Sequence, residues 1–312
     1  MEAASAPAPK EQPKPQPQLI VSIGPHVRTE ESTSKIMWTV SAALVPAALM
    51  SVYYFGMPAI QVILICIITS LLAEAGMQQL LKKPVTLSDG SAFLTGLLLA
   101  MNLPANAPWY IPFVGSIVAI VIAKHLFGGL GYNIFNPALV GRAFVLISFA
   151  KIMTTFVAPA TSFMAVDAKT TATPLVLLKE EGMAKLLEVF HTKAALYQAL
   201  FIGNRAGSLG ETSVIMLLVG AAFLMIKRYI TWHIPIPFIL TVGLSAWIFG
   251  GKDGLFTGDA IFHMMSGGLI LGAFFMATDL VTSPTTGSGK LVFGLGCGIL
   301  TALIRSWASG WG

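Results

Sequence analysis

Charge is scarce in this chain. Only 11% of its 312 residues are Asp, Glu, Lys or Arg, while 55% are hydrophobic and the mean hydropathy is +0.77; soluble domains carry about 25% charged residues. That balance excludes a soluble globular domain and points to an all-α polytopic protein in a lipid bilayer. The net charge of +5 is modest, and the cationic residues fall mainly at helix ends and in polar loops, where they orient a membrane chain rather than bind nucleic acid. Cysteine is nearly missing. Cys66 and Cys297 both lie inside apolar runs, so neither a disulfide framework nor a four-ligand iron–sulfur site can be built from this chain alone. His26, His125, His191, His233 and His263 are scattered without metal-ligand spacing. Residues Met1 to about Glu31 have no apolar core and no small-residue cleavage site, which excludes a secretory signal. Their Pro, Gln, Glu and Lys content reads as a disordered cytoplasmic tail.

What is plentiful is apolar sequence cut by Pro, Gly and charge. Runs near Ile36–Phe55, Ala59–Leu81, Ala92–Leu103, Trp109–Phe127, Pro137–Ile152, Val214–Ile230, Ile234–Phe249, Ile261–Ala277 and Leu291–Trp307 predict helices. The third run is too short, at about 18 Å, to cross a hydrocarbon core of about 30 Å. The eighth is broken by Ser266-Gly267-Gly268. Laying Gly90–Asn102 over Ser266–Thr278 pairs Gly96 with Gly272, and both are expected where segments approach closely. Short Gly-interrupted helices at matching places suggest two inverted five-helix repeats around a central site. The expected division is a tail over 1–31, a first repeat over 32–152, an outer loop over 153–212 and an incomplete second repeat over 213–312, with the tenth helix absent from this chain. Lys82, Lys83, Lys124, Arg142, Lys227 and Arg228 fall on one side in this count, which makes that side cytoplasmic. The N-terminus is then cytoplasmic and the 153–212 loop outside.

Within that loop, Asp167-Ala168-Lys169-Thr170-Thr171-Ala172-Thr173-Pro174-Leu175 offers a threonine before a proline, expected on an exposed, bendable segment. Four further blocks stand out: Leu87-Ser88-Asp89-Gly90-Ser91-Ala92-Phe93-Leu94-Thr95-Gly96, Gly131-Tyr132-Asn133-Ile134-Phe135-Asn136-Pro137-Ala138-Leu139-Val140-Gly141-Arg142-Ala143-Phe144, Gly207-Ser208-Leu209-Gly210-Glu211-Thr212-Ser213 and Met276-Ala277-Thr278-Asp279. With these blocks in this order, the chain resembles the RnfD family, membrane components of the ion-translocating ferredoxin:NAD oxidoreductases known as Rnf complexes. It also resembles their relatives, the NqrB components of sodium-translocating NADH:quinone oxidoreductases. The shorter N-terminus and outer loop fit the former better.

The resemblance implies a bacterial or archaeal plasma-membrane component that passes electrons through flavin while its complex moves sodium ions or protons. It implies FMN joined through its phosphate to Thr173, the last position of a Ser/Thr-Gly-Ala-Thr motif in which Thr171 here replaces glycine. Implied partners are the other Rnf subunits and a flavin transferase acting outside. A second, non-covalent flavin, riboflavin, is expected near Asn133, Asn136 and Arg142, with Thr278 and Asp279 as further candidates at membrane depth. Glu211-Thr212-Ser213 has two readings. Thr212 or Ser213 caps the next helix while Glu211 complements its dipole, or this glycine-flanked turn, with Ser208, Glu211 and Thr212, also lies against the flavin phosphate or ring. The rival from another class is a non-redox channel or transporter of small solutes, which inverted repeats also suit.

Overall fold

The computed structural model describes residues 31–159, 170–251 and 254–307. The N-terminal tail and Asp167-Ala168-Lys169 lie outside them. The N-terminal part holds α1 (Thr33–Phe55), α2 (Met57–Leu80), α3 (Ser91–Met101), α4 (Tyr110–Ile117), α5 (Pro137–Ser148) and α6 (Ala150–Met153). Next come a two-stranded antiparallel pair, β1 (Phe156–Val157) and β2 (Thr170–Thr171), and three short helices, α7 (Pro174–Glu180), α8 (Met183–Phe190) and α9 (Lys193–Ile202). The remainder holds α10 (Val214–Ile226), α11 (Pro235–Phe249), α12 (Ala260–Met265), α13 (Leu269–Leu271) and α14 (Gly287–Trp307).

Among the described residues, α1, α2 and α14 are long and apolar enough to cross a membrane. At about 1.5 Å per residue, the 23 residues of α1 reach about 35 Å, whereas the 11 of α3 reach about 16 Å. The short third run is therefore a short helix, and it is buried along nearly its whole length. Leu49, Tyr53, Leu72, Ile147, Ile226, Phe249 and Val292 are largely exposed. A girdle of large apolar side chains on this scale is what lipid, not water, would cover.

Two runs change geometry. The fourth, expected as a plain helix, continues from α4 into a π-helical stretch over Val118–His125, and the eighth, expected to break at Ser266-Gly267-Gly268, divides there into α12, α13 and a π-helical stretch over Gly272–Met276. Such stretches are uncommon and cluster at functional sites. Gly267, at φ +67, takes the left-handed turn that parts α12 from α13.

Boundaries follow from local chemistry. Asn136 caps α5 by accepting from Ala138 N at 3.1 Å, with Pro137 in the first helical position. Gly56, at φ 63 and ψ −141, separates α1 from α2 in a conformation open to glycine. In the core α1 packs on α10, α2 carries α3 and α4, and α11 carries α12 and α14. A second apolar cluster, Leu175, Leu186, Leu196, Leu200 and Phe262, joins α7–α9 to α12.

The two paired glycines behave differently. A Cβ on Gly96 would stand 2.8 Å from Cys66 O and 2.9 Å from Ile67 Cα, so α3 presses on the backbone of α2 there. Gly272 has nothing within 4 Å, which corrects the expectation that both mark close approaches. Gly96→Leu should therefore prevent a stable fold in detergent, and Gly272→Leu should melt within a few degrees of wild type; a thermal melt of the two variants checks both.

Candidate functional site

Thr173 is at a helix start. It is extended at φ −66 and ψ 154, as a residue before proline should be. Pro174 does not merely stop a helix but opens α7 at its first position, and Thr173 Oγ1 accepts from Val176 N at 3.3 Å. The expected exposure of this threonine is not met, for it is 4% exposed. The reason lies in its neighbours: Leu175 belongs with Leu186, Leu196, Leu200 and Phe262 to the second apolar cluster, which draws the start of α7 inward. Ala172 just before it is exposed. Thr171 pairs with Phe156 in β2 and does not have a positive φ, so threonine in place of glycine costs no backbone strain here.

Beside α7 lies a cavity of 940 Å³, at the upper end of the range for ligand pockets, about 300–1,000 Å³. Leu175, Val176 and Lys179 line it from α7, with Asp259, His263 and Arg305 from the other side. Its Arg305 guanidinium donates from Nη1 to His263 O at 2.7 Å and from Nη2 to Ser266 O at 2.9 Å. Arg205 Nη2 donates to Met265 O at 3.1 Å and to Glu211 O at 2.7 Å. Two guanidiniums thus satisfy carbonyls left free where α12 ends, at the negative end of its dipole. On the loop side, Tyr197 donates a short hydrogen bond to Asp259. Burial first, and then that carboxylate, push the phenol up to about 12.

The Gly207–Ser213 turn satisfies the capping reading. Ser213 caps α10 by accepting from Met216 N, and Thr212 donates to Leu209 O at 2.7 Å. Ser208 donates to Glu211 Oε1 at 2.9 Å, and Glu211 is buried. The turn is held against the end of α3, where Leu209 N donates to Leu103 O at 3.0 Å and Ser208 bridges to Pro104. A Cβ on Gly210 would meet Leu271 Cδ2 at 2.6 Å and Met101 O at 2.8 Å, so this glycine lets the turn sit between α3 and α13.

Arg142 is no helix-end residue. Its Nη1 donates to Asn102 Oδ1 at 3.1 Å, at the end of α3, while Asn102 Nδ2 donates to Leu98 O at 2.7 Å and approaches Met276 Sδ at 3.6 Å. The ends of the two interrupted segments therefore meet through Asn102. Asn136, Thr278 and Asp279 come together on a small cavity of 60 Å³, with Met37, Tyr229 and Phe275 among its walls. Asn133 stays apart from that cavity and donates to Phe135 O at 3.0 Å.

One buried charge cluster is not legible in the sequence as a unit. Lys124 Nζ lies 2.8 Å from Glu74 Oε2 and donates to Ser91 Oγ at 2.7 Å, and Ser91 donates to Asp89 Oδ1 at 2.7 Å. Gln78 Nε2 donates to Glu74 Oε1 at 2.9 Å. His125 Nε2 is 3.1 Å from Glu74 Oε2 but out of line for a hydrogen bond, and Nδ1 has no partner among the described residues. Lys124, expected as a loop lysine that sets orientation, is 2% exposed. Its ammonium turns inward because Glu74 on the facing α2 gives it a partner. The sequence signal is a lysine and a glutamate inside apolar runs, where a charge needs a partner.

Residues 20–311 match the NQR2, RnfD, RnfE family, and the chain belongs to it. Over 285 residues it is 54% identical to the D component of the proton-translocating ferredoxin:NAD(+) oxidoreductase complex of Clostridium ljungdahlii, covering 91% of this chain and 86% of that protein. It is also 46% identical, over 92% of this chain and 85% of the relative, to the D component of the Na(+)-translocating ferredoxin:NAD(+) oxidoreductase complex of Acetobacterium woodii. The corresponding component of the ion-translocating oxidoreductase complex of Rhodobacter capsulatus is 41% identical, over 90% of this chain and 84% of the relative.

Proposed function

We propose that this chain is the RnfD component of an ion-translocating ferredoxin:NAD oxidoreductase and carries FMN as a phosphoester on Thr173. Membership of the complex rests on one observation, the 54% identity to such a component across 91% of the chain. The flavin reading rests on the residues themselves. Thr173 supplies the acceptor oxygen, and its hydrogen bond from Val176 N needs only an acceptor, which a phosphoester oxygen remains. The 940 Å³ cavity begins two residues further on, has apolar walls in Leu175 and Val176, and presents Lys179 and Arg305 to an anionic group. These residues fit a tethered flavin.

The bound flavin supplies one- and two-electron redox chemistry, and the protein supplies position and electrostatics. Thr173 fixes the tether, Leu175 and Val176 exclude water along one side, and Arg305, already held by two carbonyls, keeps a positive charge in place without rearrangement. Asn136, Thr278 and Asp279 around the smaller cavity remain the candidates for contacts near a second flavin, while Asn133 is bonded to Phe135 O and Arg142 to the Asn102 side chain. Partners on this reading are the other subunits of the complex and the transferase. The packing of α1 on α10, with α2 carrying α3 and the α4 run and α11 carrying α12 and α14, supports a two-fold repeat with its centre at Asn102.

The loop carrying Thr173 faces outside on this reading, and Lys83 and Lys227 face the cytoplasm. Lys83 donates to Gly128 O at 3.1 Å, which places the loop after α2 and the loop before α5 at one end of the helices. Single cysteines at Lys83 and Lys227 should react with an impermeant thiol reagent only from the cytoplasmic face, and one at Lys179 only from outside. Labelling of the Lys179 site from the cytoplasm alone would reverse the orientation. The flavin itself is tested by purifying the protein from cells with an active transferase. A yellow protein whose fluorescence stays with it through denaturation is expected; a colourless one contradicts the reading.

A further inference from the structure

We infer that Thr173 receives its flavin before α7 docks, so that the docked helix then keeps the linkage away from water and from further transferase. The inference rests on the flavin reading above, and its own warrant is the burial of Thr173. The acceptor oxygen sits in a residue 4% exposed and is turned to the Val176 amide. Both sides of it are tied into structure. Upstream, Thr170 and Thr171 pair with Val157 and Phe156; downstream, Pro174 and Leu175 are buried and Leu175 joins the cluster that includes Phe262 of α12. A transferase has to bring the hydroxyl within bonding distance of a phosphorus atom, with an attacking line free of other groups. The docked arrangement offers no such approach.

The chemistry sets what has to reach the hydroxyl. An alcohol does not condense with free FMN in water, so the donor must be an activated flavin phosphate, of which a flavin dinucleotide is the chemical class. Thr173 Oγ1 forms a bond to the phosphorus on the flavin side, the pyrophosphate P–O bond breaks, and the nucleoside monophosphate leaves. The hydroxyl proton passes to a base of the transferase. No electrons change hands. All of this requires α7 to leave the second apolar cluster, after which its return carries the tethered ring toward the cavity lined by Leu175, Val176 and Arg305.

The full-length protein made in cells without the transferase, purified in detergent and then given transferase and FAD, tests this. Wild type should label at least about ten-fold more slowly than Leu175→Ala, which weakens docking of α7 and leaves the hydroxyl in place; that factor corresponds to about 1.4 kcal/mol. Should Leu175→Ala fail to fold, Phe262→Ala loosens the same cluster from α12. Wild type made with the transferase present should be fully labelled, since attachment then precedes docking. Equal rates for wild type and the loosened variants would overturn the inference and leave the flavin reading standing. Wild type without flavin on Thr173 even when made beside the transferase would overturn the reading itself, and the inference with it.

Discussion

Thr173→Ala should remove all denaturation-resistant flavin fluorescence from the protein, the largest change expected of any single substitution in the chain. The variant loses the acceptor oxygen, and neither Thr170 nor Thr171 holds the last position of the motif. It also loses the α7 cap, which costs about 1 kcal/mol. That cost is local, since the membrane core is built from other helices. Thr173→Ser restores both the oxygen and the cap and should regain flavin. Thr171→Gly should bring no gain in attachment, because its backbone is extended and a glycine there only adds freedom to the unfolded chain. In-gel fluorescence after denaturation reads all three. Flavin retained on Thr173→Ala would place the attachment elsewhere.

Lys124→Met should lower stability by about 3–5 kcal/mol, the usual result of removing one partner of a buried ion pair. The Glu74 carboxylate would keep Gln78 at 2.9 Å but lose its ammonium at 2.8 Å, and Ser91 would lose a donor. Glu74→Gln combined with Lys124→Met should recover most of the loss, because no uncompensated charge is then left among α2, α3 and the π-helical stretch. A double-mutant cycle on the melting of the detergent-solubilised protein measures the coupling directly. Equal melting of Lys124→Met and wild type would show that the pair contributes nothing.

The helices are largely legible in the sequence because lipid-facing and core-facing residues are both apolar, so each run shows as an uninterrupted block. Even the odd lengths are visible: α3 is short, and the eighth run breaks at Ser266-Gly267-Gly268. What periodicity does not show is a change of winding inside an apolar run. The π-helical stretches at Val118–His125 and Gly272–Met276 differ from α-helix only in hydrogen-bond register, for which the residues carry no marker.

The candidate site is legible by residue type and not by placement. Thr173 stands out by its motif, yet its burial follows from the cluster that Leu175 joins, whose members reach as far along the chain as Phe262 and are invisible to local reasoning. The position of Lys124 near the end of an apolar run suggests the start of a loop, although the carboxylate that holds it belongs to another helix. Arg142 looks like a helix-end residue for the same reason, whereas Asn102 draws it to the end of α3. The capping role of the Glu211-Thr212-Ser213 turn is visible in the sequence because a cap is a contact within one turn, and Ser213 makes it.

Mass analysis of the peptide containing Thr173, from protein purified out of cells with an active transferase, tests the central claim most directly. The expected spectrum shows that peptide heavier by FMN less one water, with fragmentation placing the added mass on Thr173 itself. A peptide of unmodified mass from the same cells, or the added mass on Thr170 or Thr171, would contradict the assignment.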